Sequence, residues 1–138
     1  MLRKDAKVEV IRKVPLFAHC SKKELSQVAS IADEIDLREG RQLIKEGSRG
    51  REFFVLLEGT AEARKGKRKV RTLGAGDFFG EIALVTRTPR TASVIATSPV
   101  RALVITDREF KQLIARAPEI QRKVLVSLAE RLAPTTPY

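Results

Sequence analysis

Residues 76–94 of the chain read GDFFGEIALVTRTPRTASV and separate two groups of short strand-like segments. Because Gly80 carries no Cβ, a ligand can come close to the backbone there, and EIAL suits a short helical turn whose free N–H groups can bind a phosphate. Pro89 fixes the backbone ahead of Arg90, whose planar guanidinium can hold two phosphate oxygens at once. The stretch therefore predicts an anion-binding cradle between the two halves of a β structure.

Glu81 is the unexpected member of this cradle, because a carboxylate repels a nearby phosphate. Its presence is explained if it accepts a hydrogen bond from a hydroxyl of the same ligand, such as a ribose 2′-hydroxyl, while nearby cations offset its charge. In isolation Glu81 would be a charge that stabilises a helix N-terminus, and Arg90 a solvated surface arginine. Their position nine residues apart in one cradle favours ligand roles for both.

The segments on either side of the cradle have the composition of β-strands. They are short, rich in β-branched and aromatic residues, and separated by glycines at close intervals, which indicates a compact antiparallel barrel or sandwich. In chain order they are EIDL, RQLI, EFFVLLEG, TAEA, KVRTL, TASVIA and VRALVI.

Helical patterns occupy both ends of the chain. Ser21 and Glu24 form the S-x-x-E capping box of one helix, and Thr106 and Glu109 form that of another. We therefore expect one α+β domain, mainly β: a double-stranded β-roll (jelly roll) of about eight short antiparallel strands with N-terminal helices and two C-terminal helices. The expected bounds are 1–138 for the domain, 1–30 for the N-terminal helices, 31–106 for the roll, 107–133 for the C-terminal helices and 134–138 for a frayed tail.

Composition limits the classes of function. The 138 residues include 27 Lys plus Arg against 17 Asp plus Glu, and the net charge of +10 favours a phosphate ligand, a nucleic acid or an acidic protein face. One cysteine and one histidine cannot supply a typical zinc site, and no apolar run approaches the ~20 residues that span a bilayer. The N-terminus also lacks a secretory signal. We expect a cytoplasmic protein with no metal, no cofactor and no membrane span.

The motif FGEIAL, followed after four residues by PRTASV, closely resembles the phosphate-binding cassette of cyclic nucleotide-binding domains. That family includes bacterial cAMP receptor proteins, protein kinase A regulatory subunits and cyclic nucleotide-gated channels. The resemblance also covers PLF, G-x-x-L-I-x-x-G, FFVLLEGTAEA and L-x-x-G-D-F-F-G-E, from about Pro15 to the last helix. It implies a cassette at residues 79–94 and a non-enzymatic module that binds cAMP, with cGMP left open, as an allosteric sensor or regulatory domain.

The resemblance also implies roles for individual residues. Arg90 would bind the exocyclic phosphate oxygens, and Glu81 would bind the ribose 2′-hydroxyl. Val70 and Arg71, on the strand before the cassette, are candidates for the base side. In some relatives a threonine at the place of Thr91 meets guanine instead of phosphate, so this residue leaves cAMP and cGMP open. The remaining ligand-binding positions are Gly80, Ile82, Ala83, Thr91 and Ala92.

Other interpretations remain open from the residues. The basic stretch 64–69, RKGKRK, would suit a nucleic acid or another anionic surface, although a solvated hairpin tip is the favoured interpretation. A metal-dependent enzyme on the same roll is the least favoured, because such sites need several histidines and only His19 is present. The chain would also suit a regulatory piece of a channel or a larger regulator, whose protein partner is unknown.

The last helix is expected to contact the ligand and a second copy of the chain. The resemblance implies that residues 119–133 move over the base of the ligand, but no aromatic base cap is identified, and no DNA-binding helix-turn-helix is expected beyond this helix. Its apolar face would suit a homodimer. The expected apolar set is Ile120, Val124, Leu125, Leu128, Ala129 and Leu132.

Overall fold

The computed structural model describes residues 2–135, and this part of the chain forms two compact units. Residues 33–108 form the roll unit, and residues 2–32 with 109–135 form the helical unit. Ala133–Thr135 form a short 3-10 turn, so the expected frayed tail is helical at its start. The rest of that tail lies outside the described residues. No helix within residues 2–135 is long and apolar enough to cross a membrane.

The roll unit has eight strands within the described residues, and every pairing between them is antiparallel. They form two four-stranded sheets, which confirms the expected β-roll. The strands are β1 (Asp33–Leu37), β2 (Gln42–Ile44), β3 (Glu52–Glu58), β4 (Ala61–Lys65), β5 (Arg68–Leu73), β6 (Phe78–Phe79), β7 (Ser93–Ala96) and β8 (Val100–Thr106). The sheet orders are β1-β8-β3-β6 and β2-β7-β4-β5.

The core of the roll lies between the inner faces of its two sheets. Apolar side chains from strands of both sheets pack into one cluster, because each sheet must bury one face against another element. The members of this cluster are Ile44, Phe54, Leu56, Ala61, Leu73, Val94, Ala96, Val100 and Ala102.

Strand β6 is only two residues long, and it sets the start of the cassette. It pairs with β3, so that Phe54 lies opposite Phe79 and their rings stack with centroids 5.3 Å apart. The rings of Phe53 and Phe78 meet edge to face at 6.4 Å. This packing fixes the next residue, Gly80, close to the first residues of β3.

The helical unit contains α1 (Lys4–Arg12), a 3-10 turn (Pro15–Phe17), α2 (Lys22–Ser30) and α4 (Pro118–Leu132). Helix α3 (Asp107–Arg116) begins directly after Thr106, at the boundary between the two units. The capping box of α2 is confirmed, because Glu24 N–H donates to Ser21 Oγ and Ser21 N–H donates to Glu24 Oε1. Lys123 of α4 also donates to Glu24, at 2.5 Å, and this bond lowers the pKa of the carboxyl.

The apolar face expected for the last helix is only partly buried. Ile120 and Val124 are buried, but Leu125 and Leu132 are 58% and 63% exposed. The apolar set predicted from the sequence is therefore divided between buried and exposed positions. Ile120 and Val124 are four residues apart and share a face of the helix, whereas Leu125 lies about 100° around the axis from Val124.

Candidate functional site

The cassette begins at a glycine that the backbone requires. Gly80 has φ +82°, a left-handed conformation that other residues rarely adopt. A Cβ at this position would lie 2.7 Å from Arg90 Nη1 and 2.8 Å from the carbonyl oxygen of Glu52. Both the conformation and the space therefore exclude a side chain here.

The residues EIAL form the short helical turn that the sequence predicted. Glu81–Leu84 is a 3-10 turn, in which Ala83 N–H donates to Gly80 O at 3.0 Å and Val85 N–H donates to Ile82 O at 3.1 Å. The Ala83 N–H is thus engaged within the turn, so a phosphate would have to share it or replace the Gly80 carbonyl. The side chain of Glu81 is only 6% exposed, whereas that of Ile82 is exposed.

Arg90 lies against main-chain oxygens of two other segments. Its Nη2 donates to the carbonyl of Glu52 at 2.5 Å, and its Nη1 donates to the carbonyl of Gly80 at 3.4 Å. These contacts leave further N–H donors of the guanidinium, which has five in all. The structure thus places Arg90 beside the turn that carries Glu81, which the nine-residue spacing alone could not establish.

The charge of Arg90 is half-buried and lacks a close counter-ion. Among residues 2–135, no carboxylate lies within ion-pair distance of its guanidinium, whose partners are neutral carbonyls. Burial lowers the pKa of Arg90, and the more distant charge of Glu52 partly opposes that effect. A half-buried cation without a close anion is unfavourable for the isolated fold. Such a group is typical of a site that receives an anion.

The backbone around Arg90 is held by the loop between β2 and β3, residues 45–51. Arg90 N–H donates to Ser48 O at 2.8 Å, and Gly47 N–H donates to Arg90 O at 2.8 Å. Arg49 and Pro89 form an isolated β-bridge next to these bonds. A recess of about 210 Å³ opens between this loop, β2 and Arg90, and Lys45 and Arg49 also line it. The loop therefore contributes to the site, although no pattern in its sequence indicated a role.

Of the other predicted ligand residues, two lie next to Arg90 and two lie on a different strand. Thr91 is exposed and Ala92 is half-buried, and both follow Arg90 directly on the way into β7. Val70 and Arg71 lie on β5, one of the two edge strands of the second sheet, and both are exposed. Arg71 Nη2 lies 3.6 Å from Asp77 Oδ1. The structure thus brings Arg90 to Gly80 and to the turn of Glu81, while Val70 and Arg71 make no direct bond to these residues.

The basic stretch forms the hairpin between β4 and β5, with Gly66 in the turn at φ +59°. Arg64 bonds to Glu62 at 2.6 Å, and Lys69 Nζ lies 3.8 Å from the same carboxyl group. The Gly66 N–H donates to Glu46 Oε1 at 2.9 Å. Acidic side chains therefore offset part of the charge of this hairpin, which favours the solvated hairpin tip.

Two residues of the site were missed at the level of sequence. Glu52 supplies its main-chain carbonyl to Arg90, and such a contact leaves no signal in residue type. Gly50 provides space for the Arg90 side chain, since a Cβ there would lie 1.6 Å from Arg90 Nε. Gly50 does not have a positive φ, so its role differs from that of the turn glycines. Within residues 2–135 no group of three or more His, Cys, Asp or Glu side chains is placed to hold a metal ion.

Known proteins match this chain along most of its length. The sequence model of the family described as "Cyclic nucleotide-binding domain" matches residues 34–117. A cAMP-dependent protein kinase regulatory subunit from Mycosarcoma maydis is 40% identical over 113 residues, 73% of this chain and 21% of the relative. A cGMP-dependent protein kinase from Toxoplasma gondii is 34% identical over 123 residues, 89% of this chain and 12% of the relative.

Solved structures show the same architecture. The N-terminal domain of a transcriptional regulator from Streptomyces coelicolor A3(2) aligns with a TM-score of 0.84 and 26% identity, over 92% of this chain and 94% of that one. By contrast, this chain spans less than a quarter of the length of either kinase-related protein. The similarity to those two relatives therefore concerns one module of each.

Proposed function

We propose, from the premise that this chain belongs to the cyclic nucleotide-binding domain family, that it binds a 3′,5′-cyclic nucleotide in the roll unit and acts as a regulatory module. The ligand we favour is cAMP, with cGMP as the second choice. The module would act by binding and by changing conformation, with no catalytic residue of its own.

The observation that carries this proposal is the environment of Arg90. Its guanidinium is half-buried between the carbonyls of Glu52 and Gly80, with no carboxylate of the described residues close enough to neutralise it. A cyclic phosphodiester carries one negative charge and presents two exocyclic oxygens, which the planar guanidinium can bind together. Such a ligand would offset the unfavourable burial of the cation.

Binding would exchange the partners of the guanidinium, and this exchange gives a route from occupancy to conformation. Charge-assisted bonds to phosphate oxygens are stronger than bonds to neutral carbonyls, so Arg90 would leave the carbonyl of Gly80. That same carbonyl accepts the Ala83 N–H, which begins the 3-10 turn. The turn Glu81–Leu84 would therefore differ between the two states, and the ligand would favour the state that it binds more tightly.

The buried side chain of Glu81 supports a contact to the sugar. It sits at the first position of the turn, next to Gly80, and is 6% exposed. A carboxylate can accept several hydrogen bonds, and a ribose 2′-hydroxyl is a suitable donor. Main-chain groups of the turn and of Thr91 and Ala92 would then complete the phosphate site.

The relatives include proteins named for each of the two cyclic nucleotides. The relative from Mycosarcoma maydis is named for cAMP, and that from Toxoplasma gondii for cGMP. Thr91 is exposed beside Arg90, where its hydroxyl is accessible to a phosphate or to a purine. We favour cAMP because the more identical of these two relatives is the one named for it.

The decisive experiment is calorimetric titration of the purified chain with cAMP, cGMP and 5′-AMP at one ionic strength. We expect measurable binding of cAMP, weaker binding of cGMP, and much weaker binding of AMP, whose phosphate is not cyclised. A short DNA duplex serves as the control for the charge of +10, since its binding would fall steeply as salt rises. If neither cyclic nucleotide binds while the thermal melt shows a folded protein, the proposal is wrong.

A homodimer through α4 belongs to the same proposal. Leu125 and Leu132 are exposed, and a second copy could cover them. Sedimentation velocity with and without cAMP measures this association. If the protein is a monomer both without cAMP and with cAMP at about 100-fold its dissociation constant, a dimer linked to the ligand is excluded.

A further inference from the structure

Gly50 faces the guanidinium of Arg90 at a distance that leaves no room for a side chain. A Cβ built on Gly50 would lie 1.6 Å from Arg90 Nε, 2.1 Å from Cζ and 2.3 Å from Nη2. The backbone of Gly50 does not have the positive φ found at six other glycines of the chain. Its conformation would therefore accept alanine, and the three atoms nearest to the added Cβ all belong to the Arg90 side chain.

The backbone of Arg90 cannot move aside to make that room. Its N–H and its carbonyl both bond to the β2–β3 loop, at Ser48 and Gly47, each at 2.8 Å. The loop is also held to β7, because Glu46 N–H donates to Ser93 Oγ at 2.9 Å. Since main-chain bonds join the backbone of Arg90 to the loop that contains Gly50, the part that can move aside is the end of the Arg90 side chain.

We propose that Gly50 is a positioning residue for cyclic nucleotide binding: its missing Cβ makes the space in which the Arg90 guanidinium lies beside the carbonyl of Glu52 and the cassette turn that follows Gly80. The inference rests on the proposed function for its effect on affinity. The geometry itself concerns only residues of the roll unit.

This role differs from that of a glycine required by the fold. At Gly59, a Cβ would meet the main-chain oxygen of Pro99 at 2.2 Å, and the backbone has φ +90°, so a substitution there strains the fold. At Gly50, the atoms in the way belong to the far end of a flexible side chain. Gly50→Ala therefore displaces the guanidinium while the sheets keep their packing.

The test compares Gly50→Ala with Gly74→Ala. Gly74 is the matched control, because it lacks a positive φ and a Cβ there would have no heavy atom within 4 Å. We expect Gly50→Ala to raise the dissociation constant for cAMP roughly tenfold or more, since a misplaced guanidinium loses a bidentate charge-assisted contact. The thermal midpoint should stay close to that of the wild type. Gly74→Ala should leave both values unchanged.

A second measurement reports on Arg90 directly, without nucleotide. The Nε–Hε signal of Arg90 in a ¹H–¹⁵N spectrum is identified by its loss in Arg90→Ala. We expect this signal to shift in Gly50→Ala and to stay in place in Gly74→Ala, while the main-chain amide signals of β1 and β8 remain where they are. A purely structural role of Gly50 would move those amide signals as well.

The outcomes separate this inference from the proposed function. If the wild type binds no cyclic nucleotide but the Nε–Hε signal moves only in Gly50→Ala, the function is wrong and the positioning stands. If the wild type binds cAMP and Gly50→Ala binds it equally well, the positioning inference is wrong. An unmoved Nε–Hε signal in Gly50→Ala would overturn it in either case.

Discussion

Replacing Arg90 by alanine removes the guanidinium that we propose binds the phosphate of the ligand. The guanidinium makes one short bond, at 2.5 Å to Glu52 O, and one long bond, at 3.4 Å to Gly80 O. Neither carbonyl carries a net charge, and both belong to elements that are also held by other main-chain bonds. We therefore expect Arg90→Ala to fold and to lose chiefly its affinity for the ligand.

The size of the loss follows from the burial of this cation. An exposed ion pair is worth only about 0.2–1 kcal/mol, because water competes with it. Arg90 is half-buried, and much of the cost of removing it from water is already present without ligand. Binding must break the contact to the Gly80 carbonyl, which reduces the net gain. We expect Arg90→Ala to weaken cAMP binding by about 2–5 kcal/mol, roughly 30-fold to several thousand-fold in Kd.

Calorimetry at fixed ionic strength measures this loss, and thermal unfolding followed by circular dichroism checks the fold. Arg87→Ala is the matched control, because it removes the same charge from an exposed position of the same cassette. It should change the affinity by less than about twofold, as expected for a screened surface charge. An Arg90→Ala variant that binds cAMP as tightly as Arg87→Ala would refute the role assigned to the guanidinium.

Three further predictions concern single side chains. Glu81→Ala should weaken cAMP by about 1–3 kcal/mol more than its 2′-deoxy analogue, and equal losses in calorimetry would remove the ribose role. Ser127→Ala should raise the free energy of unfolding in urea by up to about 1 kcal/mol, because the Ser127 hydroxyl is buried without a hydrogen-bond partner in the described structure; a clear loss of stability would contradict this. Gly76→Ala should cost about 1–2 kcal/mol for its positive φ, and Gly59→Ala should cost more, since its Cβ would also meet the Pro99 carbonyl at 2.2 Å. Equal costs in the same urea titrations would show that this carbonyl moves aside easily.

Much of the architecture could be predicted because its signals are local. Each of the seven segments identified by composition contains or overlaps a strand, and the capping box at Ser21 and Glu24 begins α2. The additional strand, β6, lies inside the cassette motif and has only two residues, too few to show a periodic pattern. The two-sheet order depends on pairings between distant segments and could not be derived from any one of them.

The last helix shows where local pattern is insufficient. Its apolar residues form a single set in the sequence pattern, yet Leu125 and Leu132 are exposed while Ile120 and Val124 are buried. Hydrophobicity states which residues can be buried, but the neighbouring elements decide which of them are covered. A sequence pattern that fits several helix faces cannot make that choice.

The sequence by itself determined the β-roll, the cassette motif and the candidates Arg90 and Glu81, because strand composition, turn glycines and motif spacing are properties of contiguous residues. Only the tertiary structure decided what surrounds Arg90. Glu52 lies 38 residues from it along the chain, and the Arg90 side chain has room only because Gly50 carries no Cβ. Carbonyl partners and vacant volume depend on how distant segments pack, and residue type does not encode them.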